Sequence, residues 1–151
     1  MVKFLIINGP NLNMLGKREP GIYGSQSLSE LEAELKKYGQ QHQVELDFLQ
    51  SNHEGVIIEA LHQAEGRYNC IILNAGAFTH YSFAIRDAIS AIRVPVIEVH
   101  LSNIYAREEF RHKSVLAPVT AGQISGFGTL SYILAIQGAI AMSRGGNSNG
   151  G

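Results

Sequence analysis

At 151 residues, with 45% hydrophobic and 17% charged side chains, the chain is long enough for one domain with a sizeable apolar core. Its formal net charge is -1 and it has no run of lysine or arginine, which argues against nucleic acid or an anionic membrane as a partner. The single cysteine, Cys70, excludes an internal disulfide, and neither a signal peptide nor a membrane-spanning stretch is evident, so we expect a cytoplasmic protein.

The first half of the chain alternates strand and helix patterns. A continuous apolar run at residues 3–8 predicts a strand that is buried on both faces. An S-x-x-E capping box predicts a helix that begins after Ser27 and runs to about Gln41. Alternating apolar and acidic residues at Val44–Gln50 predict a strand with one exposed face, at an edge of the sheet. Apolar residues at helical spacing follow at 54–66, where a glycine ends the helix.

The second half continues this alternation. The predicted elements are, in chain order, a buried strand at Cys70–Asn74, a helix at 83–92, a strand at Val96–His100, a short strand at 121–125 and an apolar helix at 129–143. We expect a single catalytic domain over residues 1–143, followed by a disordered Gly/Asn/Ser tail at 144–151.

The order of these elements predicts the fold and the position of the site. The order β-α-β-α-β-α-β-β-α, with central strands rich in valine and isoleucine, is typical of a parallel sheet covered by helices on both faces. We therefore expect a flavodoxin-like, doubly wound α/β domain with a five-stranded parallel sheet. Ligands of such sheets bind at the carboxyl ends of the strands, near the point where the strand order reverses.

Polar residues stand at the ends of three predicted strands. They are Asn8, Asn11 and Asn13 after the first strand, Asn74, Gly76 and His80 after the third, and Glu98, His100, Leu101 and Ser102 at the fourth. Because these strand ends meet at one rim, we expect the side chains to converge there. Gly76 would let backbone amides approach a ligand closely, and these amides, with Asn74 and Ser102, would offer neutral hydrogen bonds. His80 could equally be a polar cap before the next helix.

Glu98 and His100 are two residues apart in a strand, so their side chains share a face. A carboxylate beside an imidazole orients the ring and suits it to act as a general acid, although an isolated pair could be only a structural hydrogen bond. Arg107 and Arg111 lie in R-E-E-F-R after this strand. They could form a solvated face, or an arginine there could clamp an anion.

The connection over residues 8–24 is rich in glycine, proline and asparagine, which predicts a long loop. Loops of this length inside a compact domain are usually functional. Tyrosine is a weak base at neutral pH, but a guanidinium nearby, such as that of Arg18, would favour the phenolate form of Tyr23. The alternative is a surface loop with a salt-bridging arginine and a packing tyrosine.

Several kinds of chemistry lack candidates. The six histidines show no H-x-x-x-H or H-E-x-x-H spacing for a metal, no G-x-S-x-G elbow is present, and no lysine is placed to form an imine. A tyrosinate base with a histidine acid fits abstraction of a proton next to a carbonyl, followed by loss of a β-hydroxyl.

Five motifs in order carry a resemblance to a known family. They are N-G-P-N-L-N-x-L-G-x-R-E-P-x-x-Y-G, Q-S-N-H-E-G, N-A-G-A-F-T-H, E-V-H-L-S-N and A-R-E-E-F-R-H. With them the chain closely resembles the type II 3-dehydroquinases (3-dehydroquinate dehydratases) of the shikimate or quinate pathway. The resemblance implies trans-dehydration of 3-dehydroquinate to 3-dehydroshikimate through an enolate, without a cofactor or a metal.

The resemblance also implies roles for particular residues. Tyr23 would be the base, activated by Arg18, and His100 the acid, oriented by Glu98. Asn11 would hold a water that stabilises the enolate. The residues implied in substrate binding are Asn74, Gly76, His80, Leu101, Ser102 and Arg111, with Asp87 serving a neighbouring subunit in a dodecamer built from trimers. The chain departs from many members at Phe78, where they have tyrosine, and at Tyr105, often histidine, which affects fine substrate contacts rather than the reaction.

Two other classes of protein share the predicted fold. A flavodoxin-type FMN carrier would need a phosphate-binding loop that runs straight into a helix, whereas here a long Gly/Pro/Asn loop precedes the helix after Ser27. A receiver-like signalling domain would need acids at the ends of the first and third strands, where this chain has Asn8 and Asn74.

Overall fold

The computed structural model describes residues 1–17 and 24–145. Its strands are β1 (Val2–Asn8), β2 (Val44–Gln50), β3 (Cys70–Asn74), β4 (Val96–His100) and β5 (Gly122–Ser125). Its α-helices are α1 (Leu28–Gln41), α2 (Glu54–Gln63), α3 (Phe83–Ala91) and α4 (Leu130–Gly145). No helix in these two segments is long and apolar enough to cross a membrane.

The five strands form one parallel sheet in the order β2-β1-β3-β4-β5. The predicted flavodoxin-like, doubly wound fold is thus confirmed, with β2 at an edge. The chain moves outward from β1 in both directions, so the strand order reverses between β1 and β3. The register places Asn8 directly beside Asn74 at this point and pairs Leu73 with Glu98, which brings His100 to the same rim.

Alternate residues of β1 supply the cores on the two faces of the sheet, because side chains alternate along a strand. Phe4 and Ile6 pack in the core under α1 and α4, whose buried residues include Leu31, Leu35, Tyr132 and Ile136. Leu5 and Ile7 pack in the opposite core, under α2 and α3, with Ile57, Leu61, Ile85 and Ile89. Each helix therefore covers the sheet with one apolar stripe.

Local signals explain where the helices begin. The backbone N–H of Glu30 donates to Oγ of Ser27, so the predicted cap of α1 is present. Ser82 caps α3 in the same way, through the N–H of Ile85. The helix α2 ends at Gln63, and the predicted stop, Gly66, lies in the following turn with a φ of 74°.

One predicted boundary needs correction. The tail was expected to begin at residue 144, but α4 continues through Arg144 and Gly145, and the rest of the tail lies outside the described residues. Arg144 in the last turn of α4 complements the negative end of the helix dipole. The loop after β1 also contains a 3-10 turn at Leu12–Met14.

Candidate active site

A cavity of about 180 Å³ opens at the carboxyl ends of β1, β3 and β4. Eight residues predicted for the site line it: Asn11, Asn74, Gly76, His80, His100, Leu101, Ser102 and Arg111. Glu98 lies behind His100, and Asp87 is exposed on α3, away from the cavity of its own chain. The predicted base Tyr23 and its activator Arg18 lie outside the described residues.

The pair of Glu98 and His100 is buried at the end of β4. Glu98 Oε2 accepts a hydrogen bond from His100 Nε2 at 2.5 Å, and only 1% of Glu98 is exposed. An ionised carboxylate is acceptor-only, so Nε2 carries the proton. The other ring nitrogen, Nδ1, faces the cavity and accepts in the neutral ring; when the ring is protonated on both nitrogens beside the Glu98 carboxylate, Nδ1 donates, as a general acid must.

His80 lies beside His100, with their rings stacked and the ring centroids 6.5 Å apart. Its Nδ1 is 2.8 Å from the carbonyl oxygen of Lys113, which can only accept, so Nδ1 donates and Nε2 is an acceptor in the neutral ring. Burial, followed by the charges of His100 and Arg111, lowers the pKa of His80 below its ordinary value of 6.5. His80 is therefore neutral at pH 7 and offers Nε2 as an acceptor.

Asn74 is fixed by a buried hydrogen-bond network that reaches α4. The hydroxyl of Tyr132 donates to Asn8 Oδ1 at 2.5 Å and accepts from Asn74 Nδ2 at 3.0 Å. Burial raises the pKa of Tyr132, which keeps the phenol protonated. Because the hydroxyl has one proton and gives it to Asn8, Asn74 must present its amide nitrogen here. The network thus sets the orientation of a side chain that lines the cavity.

Gly76 lines the cavity, but its own amide is not left for a ligand. Its backbone N–H donates to Asn74 Oδ1 at 3.1 Å, so this amide is used within the chain. An asparagine side chain that bonds the backbone two residues on closes an Asx turn, which explains the pairing. Glycine is required by geometry, since its φ is 60° and a Cβ would stand 3.1 Å from the carbonyl oxygen of Pro10.

Asn11 adopts a left-handed backbone conformation, with a φ of 70°. Its N–H donates to Asn52 Oδ1 at 3.0 Å, and Asn52 Oδ1 also accepts from Gln50 Nε2 at 3.1 Å. Gln50 Nε2 contacts the carbonyl oxygen of Gly9 as well, at 3.2 Å. The end of β2 therefore holds the first turn of the loop that carries Asn11.

Two arginines bring positive charge to the cavity. Arg107 donates from Nη1 to Ser102 Oγ at 3.4 Å, and Arg111 donates from Nε to Glu108 Oε1 at 3.2 Å. The guanidinium of Arg111 also lies 4.6 Å from the centre of the Phe110 ring. Both arginines line the cavity, which favours anion binding over the solvated-face alternative considered for R-E-E-F-R.

Sequence reasoning missed the residues that support the site from a distance. Tyr132 lies in an apolar helix pattern and Ser114 in an irregular segment, so neither has a local signal of its contact with the strand ends. Asn52 and Gln50 lie in the motif Q-S-N-H-E-G, which carries no local signal of their contacts with the loop after β1. Within residues 1–17 and 24–145, no group of three histidine, cysteine or acidic side chains could hold a metal ion.

The fold and the cavity define an α/β enzyme that binds a small polar molecule at a strand-order switch point and holds an oriented histidine beside it. The family model described as dehydroquinase class II matches residues 2–140. The chain belongs to this family.

Relatives and solved structures agree with the family match. The chain is 59% identical over 145 residues to the 3-dehydroquinate dehydratase of Anoxybacillus flavithermus, covering 96% of this chain and 98% of that protein. It is 61% identical over 136 residues to the one of Bacillus licheniformis, covering 90% and 94%. The crystal structure of the type II dehydroquinase of Butyrivibrio crossotus superposes with a TM-score of 0.90 at 47% identity, covering 91% of this chain and 97% of that one.

Proposed function

We propose that this chain is a type II 3-dehydroquinate dehydratase, a cofactor-free lyase that converts 3-dehydroquinate to 3-dehydroshikimate in the shikimate or quinate pathway. Membership of the dehydroquinase class II family over residues 2–140 and the names of its relatives support the reaction. The observation that carries the proposal in this chain is the buried Glu98–His100 pair at a cavity lined by uncharged hydrogen-bonding groups and two arginines.

The reaction then proceeds in two proton transfers. Tyr23, favoured as phenolate by Arg18, takes a proton from the carbon next to the ketone, and the electrons of the broken C–H bond form an enolate. Asn11 holds a water that stabilises the enolate oxygen. The enolate reforms the ketone and expels the β-hydroxyl. His100, protonated on both ring nitrogens and held by Glu98 through Nε2, gives the Nδ1 proton to this hydroxyl, so that water leaves and a neutral imidazole remains.

The rest of the cavity matches the substrate's hydroxyls and carboxylate. Neutral His80 accepts from a hydroxyl through Nε2, and the second amide N–H of Asn74 donates. The carboxylate is held by Arg111, by Arg107 and by the turn of Leu101 and Ser102. Gly76 shapes the turn that brings Asn74 to the ligand, rather than binding through its own amide.

We further propose that the chain assembles into trimers and these into a dodecamer, with Asp87 reaching the active site of a neighbour. Asp87 is exposed one helical turn from Phe83, which is itself 62% exposed, and Tyr81 beside them is 58% exposed. Exposed aromatic side chains grouped around a carboxylate are typical of an interface. The buried single cysteine, Cys70, suits the cytoplasm as the compartment.

The absorbance of the enone product tests the reaction directly. Purified chain mixed with 3-dehydroquinate should produce this absorbance without added metal or cofactor, and after treatment with a chelator. His100→Asn keeps a side chain of similar size but cannot donate as an imidazolium, and it should lower kcat by roughly 10²–10⁴-fold. A wild-type chain that binds 3-dehydroquinate without forming the enone would refute the proposed function.

A further inference from the structure

A serine outside the cavity lining completes the contacts of the Glu98–His100 pair. Ser114 lies just before the 3-10 turn at Ala117–Val119, and its Oγ donates to Glu98 Oε1 at 2.9 Å. Glu98 Oε2 in turn accepts from His100 Nε2 at 2.5 Å. A hydroxyl, a carboxylate and an imidazole thus form one chain of hydrogen bonds that ends at the cavity.

The direction of the first bond in this chain is fixed by the backbone. The N–H groups of Leu116 and Ala117 both donate to Ser114 Oγ, at 3.2 and 3.0 Å. They occupy the two acceptor positions of the hydroxyl, so its single proton is free to point at Glu98. Glu98 is 1% exposed and therefore has no solvent to satisfy Oε1 if Ser114 is removed. The serine fixes Glu98 as an acceptor on both oxygens.

We propose that Ser114 is a positioning residue for the general acid of the dehydration. Its hydroxyl holds Glu98 in the rotamer that keeps Nδ1 of His100 available to the departing hydroxyl. This inference rests on the proposed role of His100 as the acid. Ser114 exchanges no proton with the substrate: the proton of Nδ1 passes to the leaving oxygen as its C–O bond breaks, and water departs.

The rival explanation is that Ser114 only caps the backbone turn that follows it and has no part in catalysis. Ser82 provides a matched control for this explanation. Ser82 also accepts a backbone hydrogen bond, from Ile85 N at 3.1 Å, and also donates to a glutamate, Glu54 Oε2, at 2.6 Å. Neither Ser82 nor Glu54 lines the cavity. Ser82→Ala therefore removes the same two kinds of contact without disturbing His100.

Steady-state kinetics of the full chain with 3-dehydroquinate give the first test. Ser114→Ala should lower kcat by roughly ten- to a hundredfold, the fold-change that corresponds to losing one hydrogen bond to a charged group, with little change in KM. Ser114→Thr retains the hydroxyl and should recover most of the lost rate. Ser82→Ala should lower the melting temperature without this loss of kcat.

Exchange of substrate hydrogen with solvent gives the second test, because it reports on the acid step alone. If the acid is poorly placed, the enolate returns to substrate more often before the hydroxyl leaves. Substrate recovered from D₂O during turnover by Ser114→Ala should then carry more deuterium next to the ketone than with wild type or Ser82→Ala. A purely structural role would slow turnover without raising this exchange.

The outcomes separate failure of this inference from failure of the proposed function. If His100→Asn is nearly inactive while Ser114→Ala matches Ser82→Ala in kcat and in exchange, the role of Ser114 is refuted and the reaction stands. If His100→Asn keeps the wild-type kcat, the acid assignment fails, and the role of Ser114 fails with it. A lower kcat with raised exchange in Ser114→Ala, both reversed in Ser114→Thr, supports the inference.

Discussion

Tyr132→Phe removes one oxygen atom from the network that joins the ends of β1 and β3. Tyr132 is fully buried, and its hydroxyl is the donor to Asn8 Oδ1 and the acceptor from Asn74 Nδ2. Phenylalanine keeps the ring and its packing in the core under α1 and α4. The substitution therefore isolates the polar contribution of the network from the apolar one.

The expected loss of stability follows from the two groups left without partners. Asn8 and Asn74 are 1% and 3% exposed, so water does not replace the lost hydroxyl at either. An orphaned buried polar group costs about 1–3 kcal/mol, so the two groups together predict a free energy of unfolding lower by about 2–6 kcal/mol. For a chain of this size the melting temperature should fall by roughly 4–24 °C. KM should also rise, because Asn74 loses the contact that orients its amide.

Thermal unfolding and steady-state kinetics at one fixed protein concentration measure both effects. Tyr38→Phe is the matched control: Tyr38 packs at the edge of the same core, but its hydroxyl bonds Gln137 Nε2 in an exposed position, at 3.0 Å. Water replaces an exposed bond, so this control should change the melting temperature and KM very little. Equal melting temperatures and equal KM values for the two variants would show that the network neither stabilises the rim nor orients Asn74.

Four further predictions concern the reaction and the assembly. Tyr23→Phe should lower kcat by roughly 10²–10⁴-fold with a smaller change in KM, and a wild-type kcat would remove Tyr23 as the base. Arg18→Ala removes the charge that favours the phenolate, so the limb of the pH–rate profile on which activity rises with pH should move to higher pH. Borohydride added with substrate should leave activity intact, and mass added at a lysine would favour an imine mechanism instead. Since burial lowers the pKa of His80 below 6.5, KM should stay constant near neutral pH and rise only as the pH falls through that lowered pKa, and a rise already at pH 7 would contradict the acceptor role. Light scattering after size exclusion should show about twelve chains, and an active Asp87→Ala dodecamer with unchanged KM would contradict a shared site.

The sequence predicted the sheet well because each strand has a strong local pattern. Three strands have the predicted bounds: Val44–Gln50, Cys70–Asn74 and Val96–His100. Short apolar runs bounded by turn residues leave little freedom in where a buried strand can start and stop. Helix ends have weaker local signals than strand ends, and α4 runs two residues further than predicted because glycine-rich composition says little about the last turn of a helix.

The convergence of polar residues at one rim was also predictable, since it needs only the strand ends and a parallel sheet. The contacts behind the rim were not. Tyr132 bonds a residue 124 positions earlier in the chain, and no periodicity carries that information. Gly76 is a second example of a contact that the sequence does not predict. The sequence is the same whether its backbone N–H is free for a ligand or donates to Asn74 Oδ1.

The hydrogen bonds behind the rim orient the side chains that line the cavity. His80 and His100 each use one ring nitrogen within the chain, and Asn74 uses Oδ1 and one N–H of Nδ2, so each has another donor or acceptor left for a ligand in the cavity. The internal bond fixes the tautomer of the imidazoles and the orientation of the amide, so the remaining donor or acceptor has a set direction before any ligand arrives. Binding then orders few side chains, and charge that develops in the reaction meets groups that need not reorient. For this reason we expect substitutions behind the rim, at Ser114 and Tyr132, to change kinetics although neither side chain reaches the substrate.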